Sequence, residues 1–264
     1  MPFTISDYFS TIFPGRVQKI AVNAGLGCPN RDGTLGTGGC IYCNNTSFNP
    51  SYAHAGGSIT EQLDKGVKFF SRRGKPYGYL PYFQSYTNTY GETDRLISLY
   101  EEALAFPGAV GIVIATRPDC LKEDLLDWFE GRFGFKAPGG HPYLLVEIGV
   151  ESTEDRTLDA IGRGHDFKCS VSAVESLHSR GIAGGAHVIL GLPGESEEEH
   201  GDHHRHGKRQ DDLNEGAEGS GTVSQSKARN DRLSASKKAL AIEYLLSVIF
   251  FVSFRMISIK SFFP

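Results

Sequence analysis

Two uninterrupted apolar runs, AVGIVIAT (109–116) and YLLVEIGV (143–150), constrain this chain more than any other feature. Each has the length of a strand and neither alternates, so each must be covered on both faces, as strands are in parallel sheets flanked by helices. KIAVNA (19–24), YLPYFQ (79–84) and the start of GGAHVILGLPGES (184–196) are three further strand candidates, the last running into a Gly-rich turn. Helical segments fall between them. ITEQLDKGVKFFSRR (59–73) places Ile59, Leu63, Val67 and Phe70 on one face behind a Ser58/Thr60 cap region. ETDRLISLYEEALAF (92–106), EDLLDWFEGRF (123–133) and FKCSVSAVESLHSRG (167–181) follow the same pattern. Five strands alternating with helices predict a parallel βα architecture, open or barrel-like.

The grammar stops near Glu199. The stretch 201–232, GDHHRHGKRQDDLNEGAEGSGTVSQSKARNDR, has no apolar periodicity and reads as a polar linker. ALAIEYLLSVIFFVSF (239–254) is then abruptly hydrophobic, but it is shorter than the ~20 apolar residues of a membrane span and contains Glu243. A membrane role is therefore not expected. We divide the chain into a core, 1–199, and an atypical tail, 200–264, whose composition suggests a lost reading frame rather than the evolved continuation of the fold.

Net charge is −4, but it is uneven. From His200 onward ten Lys/Arg face seven Asp/Glu, which leaves seventeen against twenty-four before it. An acidic core offers no global field for a polyanion, so a nucleic-acid partner would need a local basic patch. The start, MPFTISDYFSTIFPGR, lacks the basic and apolar regions of a secretory signal. A reducing cytoplasm is expected, where five cysteines signify metal or catalysis before disulfides.

Three of the five lie in one glycine-rich loop, CPNRDGTLGTGGCIYC (28–43). Structural zinc closes with four ligands; Cys28, Cys40 and Cys43 supply three. Three thiolates on a cubane iron–sulfur cluster leave one iron without a protein ligand, open to a small molecule bound through nitrogen and oxygen. The amino and carboxylate groups of S-adenosylmethionine (SAM) suit that position.

With CPNRDG, Tyr42 ahead of the third cysteine, YFQSYTNTY (82–90), ATRPDC (115–120), EIGVES (147–152), IGRGHDF (161–167) and HVILGLPGE (187–195), the chain resembles the radical SAM superfamily in its variant with long spacing between the first two cysteines. More narrowly it resembles a bacterial radical SAM family of unsettled activity, related to the elongator catalytic subunit and oxygen-independent coproporphyrinogen oxidase. The resemblance implies an α/β fold, a partial TIM-type (β/α)6 barrel, here lacking its last βα unit. It implies a [4Fe-4S] cluster on Cys28, Cys40 and Cys43, and reductive cleavage of SAM to a 5′-deoxyadenosyl radical that acts on an unknown substrate, with RNA such as tRNA one candidate. A reductant such as flavodoxin or ferredoxin is the implied partner. Carried over by position, Gln84, Ser85 and Asn88 fall where the SAM amino group is held, Glu151 and Ser152 near the ribose, and Arg163 where it can pair with the SAM carboxylate. Leu190 and Gly191 fall in the turn beside the adenine. Relatives often carry glutamine at position 151.

Two rival readings remain. One is a zinc- or cluster-stabilised nucleic-acid-binding module, with His54 as a fourth zinc ligand and the aromatics of 76–90 as a stacking surface. The other is an inactive truncated relative. Cys120 and Cys169 read as small buried apolar residues, Glu147 equally as site or structure, and His200, His203, His204 and His206 as having no fixed metal geometry.

Overall fold

Strand parity organises the molecule. In the computed structural model, which describes residues 4–44, 49–54, 56–196 and the backbone of 249–250, five strands form where the apolar runs predict them. They are β1 (Val17–Val22), β2 (Gly78–Phe83), β3 (Gly111–Thr116), β4 (Tyr143–Glu151) and β5 (Ala183–Val188). All neighbours pair in parallel, in sequential order. Residues alternate between two faces. Ile112 and Ile114 of β3, and Leu144, Val146, Ile148 and Val150 of β4, pack into the larger apolar core under the helices. Val113 and Leu145, one residue out of phase, join a second, smaller core on the opposite face.

Four helices match the predicted segments: α2 (Ile59–Phe70), α3 (Thr93–Leu104), α4 (Glu123–Phe133) and α6 (Phe167–His178). Ser58 caps α2 by accepting from Glu61 N, and Asp166 caps α6 by accepting from Cys169 N. Leu63, Leu96, Tyr100, Leu125, Phe129 and Leu177 seal the sheet from that side. Two short helices were not foreseen. α1 (Ile5–Ile12) starts at a Thr4–Asp7 capping box and lays Tyr8 and Phe9 against Leu80, Tyr82, Val113 and Leu145 on the inner face. α5 (Asp155–Ala160) follows β4.

The sheet is curled. Lys19 on β1 and Glu147 on β4 are separated in the sheet by β2 and β3, which in a flat sheet places their backbones about 14 Å apart. Their side chains nevertheless meet at 2.7 Å across the inner face. That contact closes the strands around a lumen, as in a partial (β/α) barrel, with α1 packed against its inner wall. The sixth place is not empty, as the expected loss of the last βα unit would leave it. Two residues of the apolar tail segment, β6 (Ile249–Phe250), pair in parallel with Gly185 and Ala186 of β5. Two residues cannot screen an edge as a full strand does. The polar stretch 201–232 and the four tail histidines lie outside the described residues. Among the described residues no helix is long and apolar enough to cross a membrane.

Candidate functional site

The cysteine loop leaves β1 and folds over the lumen. Its path is set by main-chain bonds: Arg31 N and Asp32 N donate to Cys28 O, and Cys43 N donates to Cys40 O at 2.9 Å. Gly39 turns at φ 75°, and a Cβ there would meet the Arg31 guanidinium at 2.9 Å, so the turn favours glycine. The loop is fastened to the turn after α5. Ile41 N donates to Ile161 O at 3.2 Å, and Asn30 Nδ2 donates to Gly162 O at 2.7 Å.

Cys28, Cys40 and Cys43 line one open cavity of ≈ 140 Å³. N–H donors reach the sulfur of Cys40 from Asn30 Nδ2 at 3.3 Å and Arg163 Nη1 at 3.5 Å. Burial pushes the Cys43 thiol up, with Arg31 opposing from its bond to Cys43 O. Among the described residues no three His, Cys, Asp or Glu side chains converge as one ion requires. Three thiols around one cavity, with cationic N–H donors at hand, fit a larger thiolate-bound group better than a lone zinc ion. Burial also raises Cys120, to about 12, and Cys169; neither lines the cavity.

The cavity gathers Tyr42, Gln84, Glu151 and Arg163 with the cysteines. Arg163 is 5% exposed and ties the site together. Its Nη1 donates to Tyr42 Oη at 3.0 Å and its Nη2 to Gly149 O at 2.5 Å, while Nε has no partner among the described residues. Burial opposes its charge, but Tyr42, Glu151 and Cys40 more than compensate and hold it cationic. Burial, then Glu151, pushes the Tyr42 phenol well up, so it stays a neutral donor. Glu151 sits at a bulge in the β4–β5 pairing with φ 66°, a left-handed conformation costing roughly 1–2 kcal/mol for a residue with a Cβ. Strain of this kind gathers at functional sites. Its carboxylate lines the cavity.

Ser85, Asn88, Ser152, Leu190 and Gly191 are not among the cavity-lining residues. Ser85 is buried and donates to Asn49 Oδ1. Asn88 is fully buried and laces β2 to β3, donating from Nδ2 to Phe83 O and Ala115 O at 2.9 Å each. Ser152 bonds Glu195 and accepts from Glu154 N at the start of α5. Leu190 and Gly191 open the GLPG turn, which Arg156 Nη1 holds through Gly194 O at 2.8 Å.

Other residues at the cavity were not singled out from sequence. Arg117, in the ATRPDC segment after β3, is 3% exposed and lines it. Its Nε and Nη2 grip Asp119 at 2.9 and 2.7 Å, and Nη1 has no partner among the described residues. Burial resists ionisation of Asp119, yet Arg117 outweighs it and holds the carboxyl below its usual range. Arg31, Tyr82, Tyr86, Thr87 and His187 also line the cavity. Strand parity carries the signal for Tyr82 and His187; the loop residues left none.

The Radical SAM superfamily model matches residues 22–206. The chain belongs to the radical SAM superfamily. The match begins at the last residue of β1 and covers the cysteine loop, β2 to β5 and the turn after β5. The chain is similar to protein YhcC of Escherichia coli K12 (39% over 184 residues, 70% of this chain and 57% of that one) and to YtqA of Bacillus subtilis (35% over 190 residues, 72% and 57%). MJ0486 of the archaeon Methanocaldococcus jannaschii is 34% identical over 191 residues, 72% of this chain and 56% of that one, so the similarity is not confined to bacteria. The chain spans little more than half the length of these relatives. Among solved structures it is similar to Elp3 of Methanocaldococcus infernus (20% identity, TM-score 0.46, 69% of this chain and 40% of that one). It is also similar to coproporphyrinogen III oxidase of Escherichia coli (15%, 0.44, 75% and 43%).

Proposed function

We propose that this chain is a radical SAM enzyme that holds a [4Fe-4S] cluster through Cys28, Cys40 and Cys43 and binds SAM in the cavity beneath them. The observation that carries the reading is that three cysteines, two N–H donors to Cys40 sulfur and a glutamate with a strained backbone share one cavity at the ends of parallel strands. When bound, the cluster supplies an electron to the SAM sulfonium, whose cleavage gives a 5′-deoxyadenosyl radical.

The chain's own residues bind, orient and exclude. Asn30 and Arg163 donate to the sulfur of Cys40, N–H bonds that a cluster-ligating sulfur accepts. The partnerless Arg163 Nε and Arg117 Nη1 are buried donors suited to an oxyanion, and the SAM carboxylate supplies one. Glu151 is an acceptor for ribose hydroxyls, and Gln84 presents an amide oxygen and N–H2 to the amino end. Residues 1–199 constitute the catalytic core and 200–264 the tail. A cytoplasmic setting, a flavodoxin- or ferredoxin-like reductant and an RNA substrate such as tRNA remain part of this proposal, the last resting on family likeness alone.

Anaerobic reconstitution with iron and sulfide tests the reading. It expects a brown protein with about four irons and four sulfides per chain that forms 5′-deoxyadenosine from SAM and dithionite. Stoichiometric zinc without sulfide overturns it in favour of a binding module.

A further inference from the structure

The floor of the lumen carries a charged layer that neither the thiolates nor SAM requires. Lys19 of β1, Glu147 of β4 and His187 of β5 point to the inner face by strand parity. Glu147 is 3% exposed and both its oxygens are engaged: Oε1 by Lys19 Nζ at 2.7 Å, Oε2 by His187 Nε2 at 3.0 Å. Lys19 Nζ also lies 3.8 Å from the centroid of the Tyr82 ring. Tyr82, Glu147 and His187 line the same cavity as the three cysteines.

The layer is not closed on itself. Lys19 and His187 each remain 25% exposed at the side chain. The ammonium has three N–H groups; one meets Glu147 and one faces the Tyr82 ring. With Nε2 committed to Glu147, the Nδ1 of His187 has no partner among the described residues. A buried structural ion pair needs no third, half-exposed imidazole at its carboxylate. The layer thus presents polar groups from two strands beside a neutralised Lys19–Glu147 pair.

We propose that Lys19 and His187, oriented by Glu147 and Tyr82, form the subsite that anchors an oxyanion of the substrate, a carboxylate or a phosphate, at the floor of the lumen. The proposal deepens the radical SAM reading and rests on it for placing substrate between the cysteine loop and this floor. The charged groups sharing the cavity with His187 are Glu147, Glu151, Arg31, Arg117 and Arg163, with Lys19 beside Glu147. The spare N–H groups of Arg117 and Arg163 are the ones assigned above to the SAM carboxylate, and Lys19, bonded to Glu147, is the cation that shares His187's carboxylate. Binding would draw one proton from solvent onto His187 Nδ1, and the anion would accept bonds from that N–H and from Lys19 Nζ, with no covalent change.

Carbethoxylation of the full chain by diethyl pyrocarbonate, mapped by peptide mass, reads this subsite directly. Inorganic phosphate and acetate are the probes, and the exposed His141 and His178 are internal controls. Saturable slowing at His187 alone is expected. Protection by phosphate only assigns a phosphorylated substrate, by acetate only a carboxylic acid, and by both an oxyanion site tolerant of either. Lys19→Gln should raise the half-protecting concentration roughly tenfold or more. Glu147→Gln should lower or preserve it, because it removes a competing negative charge. Slowing at His187 no greater than at His141 and His178 overturns the proposal, and the wild-type result suffices should either variant not fold. 5′-Deoxyadenosine formation is measured separately, so protection without cleavage condemns the radical SAM reading, and cleavage without protection condemns the subsite.

Discussion

Gly149 is the point on β4 where the backbone stands closest to the site. A Cβ there would lie 2.7 Å from Glu151 Oε1 and 3.1 Å from Arg163 Nη2. Gly149→Ala must displace one of them, and overpacking of this kind costs about 1–3 kcal/mol; urea unfolding measures the loss, with weakened SAM binding by the reconstituted protein as its functional counterpart. Glu147 gives a pH prediction. Burial resists its ionisation, but Lys19 and then His187 outweigh that and hold the carboxyl well below its ordinary 4.5. Its stabilisation is therefore complete above the unfolded value and is lost as pH falls below it. Lys19→Met leaves a buried carboxylate short of its main partner and costs about 3–5 kcal/mol at neutral pH. Burial then favours the protonated acid, so the gap between variant and wild type should narrow as pH falls towards 4.5, as urea titrations at the two pH values would show. A gap that is constant with pH would mean Glu147 does not ionise in the folded protein. That Cys28, Cys40 and Cys43 share a site was legible because one glycine-rich loop carries all three, and the structure brings them to one cavity. Arg117 was not, because an arginine after a strand is ordinarily a surface residue, and its burial depends on Asp119 and on the carbonyl of Arg163 in a distant turn.

At the level of elements, continuous apolar runs predicted β3 and β4 to within two residues of their observed bounds. The parity of β4 also sends Glu147 and Glu151 inward while Val146, Ile148 and Val150 face the helices. α1 escaped notice because it is eight residues long and its apolar face, Tyr8 and Phe9, is too brief to show a period. Only the Thr4–Asp7 capping box marked it. α1 packs on the inner wall, with Phe9 edge-on to Tyr143 at 6.3 Å. Phe9→Ala should cost about 3–5 kcal/mol, measured by chemical denaturation, and should raise the reactivity of lumen residues to water-borne reagents. A loss under 1 kcal/mol would show that α1 does not hold the inner wall.

For the whole molecule, curvature was the property least visible in sequence. Five parallel strands permit an open or a closed sheet, and only the Lys19–Glu147 contact across two intervening strands reveals the closure. The two-residue β6 contrasts with main strands of six to nine residues. Replacing 200–264 with a designed βα unit that lays a full strand along β5 should raise Tm by several degrees and suppress aggregation, because it would extend the two-residue pairing of β6 into a continuous ladder. No change in either would mean that the tail already closes the barrel adequately.

The central claim is that three thiols hold a cluster with one coordination position left for SAM. Iron, sulfide and 5′-deoxyadenosine assayed on one anaerobically reconstituted sample, beside Cys28→Ala, Cys40→Ala and Cys43→Ala, test it most directly. The account predicts about four irons and four sulfides per wild-type chain, SAM cleavage with dithionite, and loss of both in every variant. A single tightly held zinc, no inorganic sulfide and no cleavage would contradict it.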